Sequence, residues 1–350
     1  MRLYLHIGLP KTGSTAIQRF FKVNRDALEE RGVLYPLSGR PKKPGSSTDS
    51  PRLNHHPLAL EILSPPEDVR DSAWPELLAE LRGAKEDVAL VSSEVFDYLR
   101  ADSQFAAVRS HLQGLDVKVI VYVRRQDEYL ASYYCQWVYR RGESHRFEEF
   151  RRLPVVEANY QKLLSRWEEA FGREALIVRP YERSALVNGD VIDDICAQIG
   201  VNLGAEATRP PPGKVVNPTY PRNVINCVRM ARQAGMDDDQ LAALRDLFKR
   251  IYFGRKTESD YLSPTQRTQL LGEFGESNRA VAKRYLGRED GVLFEDLELP
   301  DQAAWEERYS GGPLADVMLS IADAQKALSR RVRPSARGAP GSRSGIRAPS

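Results

Sequence analysis

An α/β fold, with a central parallel sheet flanked by helices, is what this 350-residue chain predicts, and three observations carry it. Short runs rich in valine, isoleucine and leucine recur at residues 3–7, 88–91, 117–123 and 175–178. Segments of helical periodicity lie between them. Each run ends in a polar or glycine-containing stretch. Strands that alternate with helices form parallel sheets covered on both faces.

The first run, Leu3 to Ile7, reads as a buried strand ended by Gly8 and Pro10. From Ser14 to about Arg31 the pattern is helical, with Ile17, Phe20, Phe21, Ala27 and Leu28 on one face and Ser14 or Thr15 placed to cap the start. Val88–Val91 leads into Ser92-Ser93-Glu94. Val117–Val123 is the strongest β signal and feeds a helix lined by Tyr129, Leu130, Tyr133, Tyr134, Trp137 and Val138. Asp190–Ile199 is amphipathic and stopped by Gly200, and helical patterns resume after a Pro-rich stretch at 209–222 and continue to about Leu286. Residues 36–57, rich in Pro, Ser and Gly, read as a long loop or lid.

Composition narrows the function. With 41% hydrophobic and 28% charged residues the chain is globular, and no stretch approaches the roughly 20 apolar residues of a membrane helix. This predicts no integral membrane contact. The N-terminus lacks the pattern of a signal peptide, which points to a cytoplasmic protein. Cys135, Cys196 and Cys227 are scattered and odd in number, which suits buried thiols in a reducing compartment and not a zinc site. The net charge is +3, but residues 331–350 hold five arginines and no acids, so the remainder sums to 3 − 5 = −2. That is not the profile of a nucleic-acid binder. Any anion site must come from local placement.

In open parallel sheets ligands bind beyond the carboxyl ends of the strands, so the segments Gly8–Thr15, Ser92–Glu94, Arg124–Gln126 and Arg179–Glu182 are expected to meet. The first, Gly8-Leu-Pro-Lys-Thr-Gly-Ser-Thr15, joins a strand to a helix, where backbone N–H groups and the helix dipole favour an anion. Gly8 and Gly13 have the spacing of a P-loop, which makes the expected fold P-loop-like and three-layered. However, Ser14 stands where a nucleotide triphosphatase carries lysine, and the lysine is Lys11, inside the loop.

PKTGST after an N-terminal strand resembles the 5′-phosphosulfate loop of sulfotransferases that use 3′-phosphoadenosine 5′-phosphosulfate. The resemblance implies that Lys11 contacts the sulfate and bridging oxygen, while Thr12, Gly13, Ser14 and Thr15 hold the 5′-phosphate. YVRRQDEYLASYY is similar to the family's second motif, in which an Arg and a Ser eight residues apart hold the 3′-phosphate; here these are Arg124 and Ser132. Tyr181 stands where cytosolic members place a tyrosine against the adenine. Arg255-Lys256 matches a third motif only in part, since Thr257 replaces its glycine. The SSE turn paired with VYVRRQ is most similar to bacterial members that modify carbohydrates. The resemblance spans roughly residues 2–200. The expected organisation is a catalytic domain over 1–310, a C-terminal helix over 311–330 and a basic tail over 331–350, whose Arg, Pro, Gly and Ser with almost no large apolar residues predict disorder.

Sulfuryl transfer to a hydroxyl needs a general base but no metal. Glu94 lies at a strand end, where cytosolic members carry a catalytic histidine. His56 and His55 lie on the long loop, roughly where heparan-type members place an acidic base. The expected partners are the nucleotide sulfate donor and a hydroxyl acceptor of carbohydrate type, with Trp305 and Tyr309 among the aromatics available to shape the acceptor site. The alternatives are a P-loop kinase using ATP and magnesium and a non-catalytic anion binder acting through the basic tail.

Overall fold

The computed structural model describes residues 1–40, 54–65, 72–204, 207–209, 220–252, 261–295, 298–309, 315–318 and 320–322. The centre of the 36–57 loop, Arg255-Lys256, part of 311–330 and the tail at 331–350 lie outside the described residues.

The strands are β1 (Arg2–His6), β2 (Val33–Leu34), β3 (Val88–Ser92), β4 (Asp116–Val123) and β5 (Leu176–Pro180). They form one sheet in the order β2-β3-β1-β4-β5, and every pairing is parallel. The sheet thus has β1 at its centre, and the loop leaving β1 emerges between its neighbours β3 and β4. Four of these strands match the apolar runs of the sequence. β2, two residues on the sheet edge, has no such run to announce it.

The first half of the chain adds helices α1 (Ser14–Val23), α2 (Arg25–Glu29), α3 (His56–Leu63), α4 (Ala73–Gly83) and α5 (Asp102–His111). After β4 come α6 (Gln126–Arg141), α7 (Phe147–Phe150), α8 (Tyr160–Phe171) and, beyond β5, α9 (Val191–Ile199). The chain continues with α10 (Arg222–Gln233), α11 (Asp238–Ile251), α12 (Pro264–Glu273), α13 (Gly275–Leu286) and α14 (Gln302–Tyr309).

Side chains alternate across the sheet with the strand period of two. Leu3, Leu5, Val119, Val121 and Val123 join the larger core, formed with α3 to α6, α8 and α10 to α13. Tyr4, Leu90, Ile120 and Tyr122 face the other way, onto Ile17, Phe20 and Phe21 of α1 and Ile192, Ile195 and Ile199 of α9. The three-layer expectation holds. The predicted stripe on α6 is buried at Tyr129, Leu130, Tyr133, Tyr134 and Val138, and Trp137 packs against the same core. Cys135 and Cys196 are buried, whereas Cys227 is only half-buried.

The expected single helix from Ser14 to Arg31 is broken at Asn24, whose side-chain amide donates to Phe20 O at 2.8 Å and Thr208 O at 3.0 Å. The Thr208 N–H returns a bond to Asn24 Oδ1 at 2.7 Å. An asparagine that bonds backbone in this way competes with helix continuation. The distant segment it captures was not visible in local periodicity.

Candidate active site

The loop from β1 to α1 takes two left-handed residues, Lys11 (φ 71°) and Gly13 (φ 82°). Gly13, and not Ser14 or Thr15, is the N-cap residue of α1. A Cβ at Gly13 would lie 2.9 Å from Val191 Cγ1 and 3.2 Å from Tyr181 Cε2, so close approach as well as φ demands glycine. The left-handed state costs a non-glycine residue about 1–2 kcal/mol. At Lys11 it is held in place by Arg124, whose Nη1 donates to the Lys11 carbonyl at 3.1 Å. Thr12 is fully buried, and its hydroxyl donates to Leu9 O at 2.7 Å. Its side chain therefore shapes the loop from within instead of facing a ligand, contrary to the contact implied by resemblance.

Ser14, the first residue of α1, donates its hydroxyl hydrogen to Glu94 Oε2. Around this contact is a pocket of about 190 Å³ lined by Lys11, Gly13, Ser14, Thr15 and Glu94, with Gln136 and Arg140 of α6 on its wall. The Lys11 ammonium is held below its ordinary pKa by burial, then by the Arg140 and Arg124 guanidinium groups, with Glu94 opposing. The N-terminal N–H groups of α1, a lysine and a carboxylate thus converge on one small polar cavity, which suits an anion undergoing group transfer.

Glu94 opens a 3₁₀ turn, Glu94–Tyr98, whose N-cap Ser93 accepts from the Val95 N–H at 3.2 Å. His56 starts α3, and its Nδ1 lies 2.8 Å from Ser93 Oγ. Burial lowers the His56 pKa, and the Glu94 carboxylate works against that shift. Glu94 and His56 therefore occupy the same end of β3. His55 does not join them. It is fully buried, accepts from the Ser92 N–H at Nδ1 (3.1 Å) and donates from Nε2 to Pro36 O (3.1 Å). Burial and the Arg40 charge push its pKa down to about 3. With both ring nitrogens engaged by backbone, His55 is a neutral strut for the long loop, and its candidacy as a base is withdrawn.

Arg124, just past β4, donates from Nε to Glu128 at 2.9 Å, and its guanidinium lies 5.8 Å from the centroid of the Tyr181 ring. Tyr160 donates its hydroxyl hydrogen to the Arg124 carbonyl. Arg124, Tyr181, Glu182, Arg183 and Phe294 line a second pocket of about 170 Å³. All four predicted loops thus meet, through Ser14–Glu94, Lys11–Arg124 and the Tyr181 contacts with both Gly13 and Arg124. Ser132 is buried on α6 and lines neither pocket. Arg125 is turned to Asp127, with Nε–Oδ1 at 2.8 Å and Nη2–Oδ2 at 3.0 Å, and Arg267 of α12 completes the buried triad at 3.0 Å. Trp305 and Tyr309 pack around the Arg222 guanidinium, 4.8 and 5.3 Å from it, and line neither pocket.

Four residues near the site escaped sequence reasoning. Gln136 and Arg140 follow Ser132 at successive helical spacings of four, so the three share a face of α6. His6 and Gln18 meet on Ser92 Oγ, at 2.8 Å from His6 Nδ1 and 3.3 Å from Gln18 Nε2. Gly8 sits against this histidine, since a Cβ there would lie 3.0 Å from His6 Nε2. Burial pushes the His6 pKa down to about 4, so a neutral imidazole lies beneath the loop. Among the described residues, no group of three or more His, Cys, Asp or Glu side chains is gathered around a metal position, and no helix is long and apolar enough to cross a membrane.

No family model matches the sequence. The chain is similar to an uncharacterized protein of Archaeoglobus fulgidus, 26% identical over 218 residues, which are 60% of this chain and 57% of that protein. The match thus spans little more than half of that relative. Among solved structures, the fold is similar to that of a sulfotransferase from Alicyclobacillus acidocaldarius, with a TM-score of 0.36 and 18% identity over 69% of this chain and 95% of that one.

Proposed function

We propose that this protein transfers a sulfuryl group from 3′-phosphoadenosine 5′-phosphosulfate to an acceptor hydroxyl, with carbohydrate as the acceptor class implied by the motif resemblance. The observation that carries this reading is the position of Lys11. It lies inside the loop, its carbonyl held by Arg124, within the electrostatic reach of Glu94 and at the N-terminus of α1.

In this reading the N–H groups of Gly13, Ser14 and Thr15 bind the 5′-phosphate. Arg124 takes the 3′-phosphate, and Tyr181 lies against the base in the adjoining pocket. Ser132, buried one to two turns into α6, is the residue that the motif resemblance pairs with Arg124 at the 3′-phosphate. Transfer forms a bond from the acceptor oxygen to sulfur and breaks the bond from sulfur to the bridging oxygen. Glu94 takes the acceptor proton, and Lys11 stabilises the charge that appears on the bridging oxygen. His56, at the same strand end, is the second candidate for the base. The reading requires no metal ion in these steps.

The kinase alternative is not favoured, because Ser14 occupies the first position of α1 and its hydroxyl is engaged with Glu94. A thermal-shift comparison tests the reading. Adenosine 3′,5′-bisphosphate should raise Tm, as a ligand specific for the native state does. A larger rise with ATP and magnesium would replace the proposal with the kinase.

A further inference from the structure

His6 ends β1, and the steps described above give it no role. Its ring is fully buried and set edge-on to Tyr122, with the centroids 5.8 Å apart and the planes at 79°. Nδ1 lies 2.8 Å from Ser92 Oγ, and the Gln18 amide donates to that same oxygen at 3.3 Å. This network fixes the tautomer. A hydroxyl carries one hydrogen and an amide nitrogen cannot accept it, so among the described residues the Ser92 hydrogen goes to His6 Nδ1. A neutral imidazole that accepts at Nδ1 carries its own hydrogen on Nε2. Burial, which pushes the His6 pKa down to about 4, keeps the ring neutral.

His6 Nε2 is buried and has no hydrogen-bond partner among the described residues. A buried N–H group left without an acceptor is destabilising, so its presence needs a reason. Its position supplies one. A Cβ built on Gly8 would meet His6 Nε2 and Cε1 at 3.0 Å each and Ser14 Cβ at 3.4 Å. The nitrogen therefore lies directly beneath the β1–α1 loop, against the glycine that opens it and close to the first residue of α1. Only a residue without a side chain at position 8 lets the ring come this near. Three of the loop's carbonyls are committed elsewhere. Leu9 O accepts from the Thr12 hydroxyl, Lys11 O from Arg124, and Gly13 O from the Ala16 and Ile17 N–H groups. An anion held at the N-terminus of α1 brings oxygen acceptors to this place.

We propose that His6 is a further ligand of the nucleotide's 5′-phosphate, its Nε2–H donating to a phosphate oxygen as the β1–α1 loop seats around the anion. The inference rests on the sulfuryl-transfer reading and adds one side-chain donor to the backbone N–H groups assigned to that phosphate. Ser92 and Gln18 stand behind it as positioning residues that hold the tautomer. The donor is neutral, so it orients the phosphate, while charge is balanced by Lys11 and the α1 dipole.

The test is nuclear magnetic resonance of the full chain with nitrogen-15-labelled histidine, titrated with adenosine 3′,5′-bisphosphate and, separately, with adenosine 3′-phosphate. His6→Gln assigns the His6 signals by their disappearance. At neutral pH the wild type should show His6 protonated at Nε2 and not at Nδ1. The bisphosphate should move the Nε2-bound proton downfield, and adenosine 3′-phosphate, which lacks the 5′-phosphate, should leave it in place. His6→Phe, which keeps a ring and removes the donor, should weaken bisphosphate binding by about tenfold or more. Its affinity for adenosine 3′-phosphate should stay within a few-fold of wild type, and His6→Gln, which retains an amide donor, should recover part of the loss. A hydrogen on Nδ1, an Nε2 proton that the bound bisphosphate leaves unmoved, or an equal loss of both nucleotides in His6→Phe overturns the proposal and leaves the transfer reading standing. A wild type that does not bind the bisphosphate at all overturns the transfer reading and this inference with it.

Discussion

Ser14 donates its hydroxyl hydrogen to Glu94, joining the first residue of α1 to the first residue of the 3₁₀ turn that follows β3. The contact fixes a carboxylate at the mouth of the α1 N-terminus. It also places the candidate base beside the loop that would hold the leaving group. A base needs this proximity before its pKa matters.

Replacing that carboxylate separates chemistry from binding. Glu94→Gln should lower kcat by about 10²–10⁴, the usual contribution of a general base, while adenosine 3′,5′-bisphosphate affinity stays within a few-fold of wild type. A steady-state assay paired with nucleotide titration measures both. If His56→Ala shows the large kcat loss and Glu94→Gln does not, the two residues exchange roles.

Gly13→Ala should damage the loop in two ways. The residue has φ 82°, and the added Cβ would lie 2.9 Å from Val191 Cγ1. The backbone conformation alone costs about 1–2 kcal/mol for an L-residue. The neighbouring Tyr181 ring must also give way, so nucleotide binding should weaken more than global stability does. Urea denaturation and calorimetry on the same variant distinguish the two losses.

Acid should unfold the protein through its buried histidines. The folded pKa values of His6 and His55, about 4 and about 3, lie below the ordinary value of 6.5. Both groups therefore bind protons more readily when unfolded. Their contribution is fully present above pH 6.5 and is lost as pH falls toward 4 and then 3. Each histidine costs about 1.4 kcal/mol per pH unit across its window. Wild type should lose stability between pH 6.5 and 4 more steeply than His6→Gln, as read by denaturation midpoints across that range.

The buried triad of Arg125, Asp127 and Arg267 predicts a large structural effect remote from chemistry. Asp127 is fully buried and receives bonds from both arginines. Asp127→Ala removes the buried carboxylate that Arg125 and Arg267 share, leaving Arg125 a longer approach to Glu128 at 3.7 Å, and should cost about 3–5 kcal/mol. Replacing all three by apolar residues of similar volume should recover most of that loss, measured by equilibrium denaturation.

What the sequence made legible was local. The valine-rich run of β4 and the PKTGST loop announce themselves because strand propensity and loop chemistry reside in adjacent residues. Arg124 follows from its place at a strand end. The contacts that decide roles are not local. His55 and Ser92 are 37 residues apart, and their pairing turns an apparent loop histidine into a buried strut. Thr12 reads as a phosphate ligand until its hydroxyl is seen bonded to Leu9. Arg125 looks equivalent to Arg124 until Arg267, 140 residues beyond Asp127, closes around the same carboxylate. Gln136 and Arg140 had a visible helical spacing, but only the fold brings that stripe to the loop of β1.

The most direct test of the central claim is isothermal titration with adenosine 3′,5′-bisphosphate, adenosine 5′-phosphate and ATP with magnesium, on wild type and Arg124→Ala. The account predicts micromolar binding of the bisphosphate, on the order of 8 kcal/mol. It also predicts much weaker binding of the monophosphate, and loss of that discrimination in the variant. Equal affinity for the two adenosine phosphates, or a preference for ATP with magnesium, would contradict it.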